Sequence, residues 1–172
     1  MVLPVTTLDQ LFGARTAELV TDAIDAATAA RIREHAPFAR YRLVDRGSYE
    51  HAPVADAALL TRLAALASKR IGRTLAVAEA RLVRLSAGDY LLAHHDRVHE
   101  DHPLELVLDV SAAPTRGAEI HYRRRGQVFF RVPSAPGTLS LVERGPTVTC
   151  NHTYVSKLHA GASVVRLIAL LR

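Results

Sequence analysis

Tryptophan is absent from the 172 residues, and cysteine and methionine occur once each. The lone Cys150 cannot close an intrachain disulfide or build a multi-thiolate metal centre, which points to a reducing, cytoplasmic setting. Aromatic residues make up only 5% of the chain, so the basic strip interleaved with stacking rings that grips single-stranded nucleic acid is missing, and no nucleic-acid partner is expected. No apolar run reaches the roughly 20 residues that span a bilayer. Met1 to Gln10 has no basic flank followed by an apolar stretch, and Asp9 interrupts it early. Neither a secretory signal nor a membrane association is therefore expected. Internal repeats and low-complexity linkers are also lacking.

What is present describes a globular chain. Hydrophobic residues are 49% and charged residues 23%, with a net charge of +5; such a balance buries a core and mildly favours anionic ligands. The length suits a single domain over 1–172. Within it the style of the sequence changes near residue 75. Thr21 to Glu34 carries Ile24, Ala27 and Ile32 near helical spacing, and Leu59, Leu60, Leu63, Leu66 and Ile71 mark a second helical stripe, with Asp56 placed to cap it and Gly72 to end it. The expectation is mainly helical support over 1–75 and a β core over 76–172. In that second part short apolar or alternating segments are separated by Gly and Pro: Ala78 to Leu85, Leu104 to Val110, Ala118 to Arg123, Val128 to Val132, Thr138 to Val142, Thr147 to Ser156 and Val164 to Leu171. This predicts an α+β fold with a jelly-roll-like core braced by N-terminal helices.

The chemistry concentrates in a few places. His94 and Asp96, two residues apart in Tyr90-Leu91-Leu92-Ala93-His94-His95-Asp96, share a face if the segment is extended. His152 lies inside a later strand-like segment and supplies a third donor. Two imidazoles and one carboxylate on one side of a metal form the facial triad of non-haem Fe(II) oxygenases, which leaves positions open for cosubstrate and O2. His159 competes with His152, but Ala160-Gly161 after it signals a turn. Arg166 is the one charge in Val164 to Leu171. A guanidinium in so apolar a strand requires an anion, from the protein or from a ligand.

Together these residues resemble a known family. Gly88-x-Tyr90-Leu91-x-x-His94-x-Asp96, then Gly117-Ala118-Glu119-Ile120, Pro136-Gly137-Thr138-Leu139, His152 and Arg166 follow the order found in the 2-oxoglutarate- and Fe(II)-dependent oxygenases, particularly the prolyl-4-hydroxylase-like branch. The resemblance covers Arg81 to Arg172. It implies a double-stranded β-helix (cupin-like) core, Fe(II) as cofactor, and 2-oxoglutarate and O2 as cosubstrates. By motif position His94, Asp96 and His152 become the metal ligands and Arg166 the anchor for the distal carboxylate of 2-oxoglutarate. The step from His152 to Arg166 is longer than is usual in the branch, which keeps His159 as the alternative. Many relatives place a tyrosine against 2-oxoglutarate where Leu85 stands here, leaving Tyr90, Tyr122 and Tyr154 as candidates for that contact. Asp96 implies hydroxylation rather than the halogenation of relatives that lack this carboxylate. Because the chain ends at Arg172, just past the last predicted strand, a small polar metabolite or amino acid is the expected substrate.

Two rival readings compete. His95-Asp96-Arg97-Val98-His99 resembles a zinc-protease motif with Asp for Glu, but that motif needs a helix and Pro103 follows closely. A jelly-roll sensor domain could also keep the metal pocket without turnover. Arg123-Arg124-Arg125-Gly126 reads as a solvated hairpin tip.

Overall fold

Alternation decides the architecture, and the last strand shows it best. The computed structural model describes residues 17–43, 45–94, 104–144 and 147–172. Its final strand runs Ser163–Leu171 (β11). Val165, Leu167, Ala169 and Leu171 face a cluster shared with two helices, whereas Val164 and Ile168 face a second cluster. Both faces are buried, which is why this strand reads as an almost continuous apolar run.

The helices are Ala26–Glu34 (α1) and Ala57–Ile71 (α2). Asp25 accepts the Thr28 amide at 2.7 Å and Asp56 the Leu59 amide at 2.8 Å, each capping its helix. Gly72 ends α2 in the left-handed conformation, φ 80°. Ala29 of α1 and Leu59, Leu63 and Ala67 of α2 pack on Leu82, Leu106, Leu141 and Leu167. Among the described residues no helix is long and apolar enough to cross a membrane.

Between and before the helices lie strands that the helical reading of residues 1–75 did not include: Ala17–Val20 (β1), Ala39–Leu43 (β2) and Gly47–Pro53 (β3). The hairpin of β2 and β3 is mostly polar, with β2 largely exposed and β3 largely half-buried, so it lacks an apolar strand signature; its strand character comes from pairing. Tyr41 stands opposite Tyr49 with ring centroids 5.5 Å apart, and β3 pairs with the strand Val77–Ser86 (β4). The remaining strands are Tyr90–His94 (β5), Leu104–Asp109 (β6), Ile120–Arg124 (β7), Gln127–Val132 (β8), Leu139–Glu143 (β9) and Val148–His152 (β10). Every strand predicted after residue 76 is present. The β10 strand is shorter than predicted, because Thr153 turns its hydroxyl to the Glu119 amide and the Gly117 carbonyl.

The strand order is β1-β9-β6-β11-β4-β3-β5-β10-β7-β8, with β2 on β3. Residues from both halves of that order meet in one inner cluster: Val83, Val107 and Ile168 from β4, β6 and β11, and Ile120, Phe130 and Cys150 from β7, β8 and β10. The sheet therefore curls over itself into a nearly closed barrel. The crossing between halves is tight at Gly47, where φ is 140° and a Cβ would stand 2.0 Å from the Tyr90 carbonyl oxygen.

Two ion pairs hold the β2–β3 hairpin to the barrel, Arg84 on Glu50 and Arg40 on Asp89, both at 2.7 Å. The Arg84 guanidinium holds the Glu50 carboxyl below its ordinary value. Burial pushes Asp89 upward, but Arg40, Ser48 and the Ser86 amide outweigh it and hold that carboxyl low as well. Since both folded values lie below the unfolded ones, the stability they contribute is complete above the ordinary carboxylate range and is lost progressively below about pH 4.5. Melting temperature followed against pH is expected to fall on the acid side, less steeply in Glu50→Gln. Identical acid limbs in the two proteins would refute this.

Candidate active site

The inner cluster holds several charges. Glu105, Arg144 and Tyr122 are all buried. Glu105 accepts from Arg144 Nη1 at 2.5 Å through one oxygen and from the Tyr122 hydroxyl at 2.5 Å through the other. Burial and the Glu105 charge push the Tyr122 hydroxyl well above its ordinary pKa. Burial works against the Arg144 charge, but the neighbouring Glu105 carboxylate more than offsets it and raises the guanidinium's pKa. This group is a balanced ion pair inside the barrel wall.

Arg166 is different. It stands in the middle of β11, opposite Asp109 of β6 and Val83 of β4, and is 1% exposed. Nη2 donates to the Ala118 carbonyl at 2.7 Å, and Nε has no hydrogen-bond partner among the described residues. Burial lowers its pKa, against the opposing charge of Asp109. Asp109 does not bond to it: one carboxylate oxygen accepts the Ser111 amide and the other the Ala135 amide, each at 2.8 Å. No described carboxylate stands within 4.0 Å of Arg166. The protein thus supplies a nearby negative charge in register but no ion pair. An apolar strand thus keeps a buried guanidinium with donor capacity to spare among the described residues, which fits an anionic ligand.

His152 is the last residue of β10, 4% exposed, opposite Ile120 on β7 and Leu91 on β5. His94 closes β5, its backbone opposite Cys150 with a register irregularity between Cys150 and His152. The two histidine positions are therefore diagonal neighbours on adjacent strands. Asp96, and with it His95 and His99, lies outside the described residues. Among the described residues no three His, Cys, Asp or Glu side chains converge as a metal site. His159 is exposed, its amide donating to the Ser156 carbonyl in the turn that Gly161 completes with φ 82°. Of the candidate tyrosines, Tyr122 is in the inner cluster with its hydroxyl given to Glu105, while Tyr90 is half-buried beside the exposed Tyr154, centroids 6.4 Å apart. His121 bonds Glu119 at 2.7 Å, and Arg125-Gly126 forms the left-handed tip between β7 and β8.

Sequence reasoning singled out Arg166 and His152 but missed Glu105, Asp109 and Arg144. A signal existed: Leu104 to Asp109 alternates apolar residues with two carboxylates four apart, on one face of a strand buried throughout. Buried carboxylates of this kind imply buried donors.

No sequence-family model matches the chain, and no curated protein is matched to it by sequence. Solved structures do share its fold. An oxidoreductase of the 2OG-Fe(II) oxygenase family from Burkholderia pseudomallei superposes with a TM-score of 0.72 at 14% identity, over 91% of this chain and 84% of that one. A Pseudomonas putida prolyl-4-hydroxylase gives 0.66 at 15%, over 91% and 92%. A prolyl hydroxylase from Trichoplax adhaerens, in complex with a hypoxia-inducible-factor peptide fragment, gives 0.68 at 10%, over 96% and 87%. The chain has the double-stranded β-helix fold of these oxygenases.

Proposed function

We propose that this chain is an Fe(II)- and 2-oxoglutarate-dependent oxygenase of the hydroxylase type, acting as one domain in the cytoplasm on a small polar metabolite or amino acid, with release of succinate and CO2. The carrying observation is Arg166, a buried guanidinium without a carboxylate at ion-pair distance among the described residues, inside a barrel of this fold. The donor set suits iron: His152 is buried on the inner face, His94 ends the adjacent strand, and Asp96 follows two residues later. These three would hold Fe(II), which when bound would supply the oxidising chemistry with O2 and 2-oxoglutarate.

The chain's own residues bind, orient and exclude water. Arg166 offers its planar fork to the distal carboxylate of 2-oxoglutarate. Val83, Leu85 and Val164 flank it with apolar surface, which strengthens that charge contact by keeping water away.

Anaerobic addition of Fe(II) and 2-oxoglutarate is expected to produce the visible charge-transfer absorption of their chelate. Oxygen with a panel of amino acids and small metabolites is expected to release succinate above the substrate-free background, with a product heavier by one oxygen atom. A protein that binds iron yet never consumes 2-oxoglutarate would be a sensor instead. The ligand assignment is checked separately by metal titration: His152→Ala weakens Fe(II) binding and His159→Ala leaves it unchanged. The reverse pattern would move the ligand to His159.

A further inference from the structure

Asp89 lies in the Gly88-Asp89-Tyr90 stretch and has no part in the chemistry above, yet it is 4% exposed and fully engaged. One carboxylate oxygen accepts Arg40 Nη1 of β2 and the Ser48 hydroxyl of β3, both at 2.7 Å. The other accepts the same Arg40 nitrogen at 2.8 Å and the Ser86 amide of β4 at 2.9 Å. Its main chain is as busy. The Asp89 carbonyl accepts the Val155 amide at 2.9 Å, while the neighbouring Gly88 amide donates to the Val155 carbonyl at 2.8 Å. One buried residue therefore ties together the β2–β3 hairpin, the β4–β5 turn and the chain just after β10.

The placement gives this knot a purpose. β5 begins at Tyr90, directly after Asp89, and ends at His94; Val155 lies three residues beyond His152, the end of β10. Between those strands the register shifts between Cys150 and His152, so regular pairing does not run unbroken from one histidine to the other. The paired bonds between Gly88-Asp89 and Val155 join the two strands' chain at the opposite end of β5, and the Asp89 side chain anchors that end to three other strands.

We infer that Asp89 is a positioning residue, whose bonds to Arg40, Ser48, Ser86 and Val155 set the separation of His94 and His152 and so the affinity of the site for a divalent metal. The inference rests on the iron reading given above. Groups that orient metal ligands from behind commonly change metal affinity by about 10–100-fold when they are replaced, and a similar loss is expected here.

The test uses Co(II) as the probe, titrated into the full chain and followed by its visible ligand-field absorption. Asp89→Asn keeps the shape but turns one acceptor into a donor facing Arg40, Ser48 or the Ser86 amide. It is expected to weaken Co(II) binding by about 10–100-fold at a temperature where circular dichroism shows it folded. Arg40→Gln, a milder change at a partly exposed side chain, is expected to weaken binding less, and serves if Asp89→Asn does not fold. Leu63→Ala, in α2 and away from the barrel interior, lowers the melting temperature without changing Co(II) affinity, which separates positioning from general stability. Faster hydrogen exchange at the Val155 and Gly88 amides in the metal-free Asp89 variant would show that the knot has loosened. Unchanged Co(II) affinity in both folded variants, beside a wild type that binds, overturns the inference alone. A wild type that takes up no Co(II) overturns it together with the iron reading.

Discussion

Arg166→Leu is expected to leave the barrel folded while weakening 2-oxoglutarate binding by about 2–5 kcal/mol, roughly 30-fold to several thousandfold. The two halves of that expectation have one cause. In the absence of an anion the guanidinium bears the cost of burial, with one hydrogen bond among the described residues, to Ala118, and a carboxylate, Asp109, that is committed to backbone amides. Replacing it with an apolar side chain between Val164 and Ile168 removes that cost and forfeits one bond, so thermal stability changes little. Binding, by contrast, loses its charged and geometrically matched partner. Arg166→Lys is expected to fall between the two, because an ammonium keeps the charge without the planar fork. Calorimetric titration of the iron-free and iron-loaded proteins with 2-oxoglutarate decides the matter, and an unchanged affinity in folded Arg166→Leu would place the anchor elsewhere.

Arg144→Met is expected to do the opposite, costing about 3–5 kcal/mol of folding stability. Here the guanidinium has a carboxylate partner, and removing it leaves the buried Glu105 carboxylate, which also accepts the Tyr122 hydroxyl, without the opposite charge at its side. The double replacement Arg144→Met with Glu105→Leu is expected to recover much of the loss, since neither charge is then left alone. Urea denaturation of the three proteins measures both steps. A single variant within about 1 kcal/mol of wild type would show that the Arg144 charge is not what keeps the Glu105 carboxylate stable inside the barrel.

These two arginines also show what could be read from the chain. Arg166 stands out because Val164 to Leu171 is otherwise apolar, and a lone charge there is visible in one dimension. Arg144 follows β9 in Glu143-Arg144-Gly145, where a cation looks like ordinary loop surface. Its burial depends on Glu105, in a strand far away along the chain. The same limit applies to the hairpin of β2 and β3. The helix α2 announced itself through Asp56, Gly72 and a leucine stripe, all local signals, whereas Ala39–Leu43 becomes a strand through its partner. For the candidate site, His152, His94 and Arg166 were legible as residue types in a family-like order. What surrounds Arg166, the engaged Asp109 and the Ala118 carbonyl, was not, because those contacts are made by residues brought near only when the sheet curls.

The alternation along β11 carries a consequence for anyone who wishes to redirect the protein. Positions 164 and 168 belong to the inner cluster, with the buried Arg166 between them, and 165, 167, 169 and 171 belong to the cluster shared with the helices. The proposed anchor and the helix-bearing face thus occupy the same nine residues in interleaved registers. A combinatorial library confined to positions 164 and 168 would vary the packing around Arg166 while every odd-numbered neighbour kept its place against the helices. Randomising the odd positions instead would spend its diversity on variants that fold less well and select no new ligand.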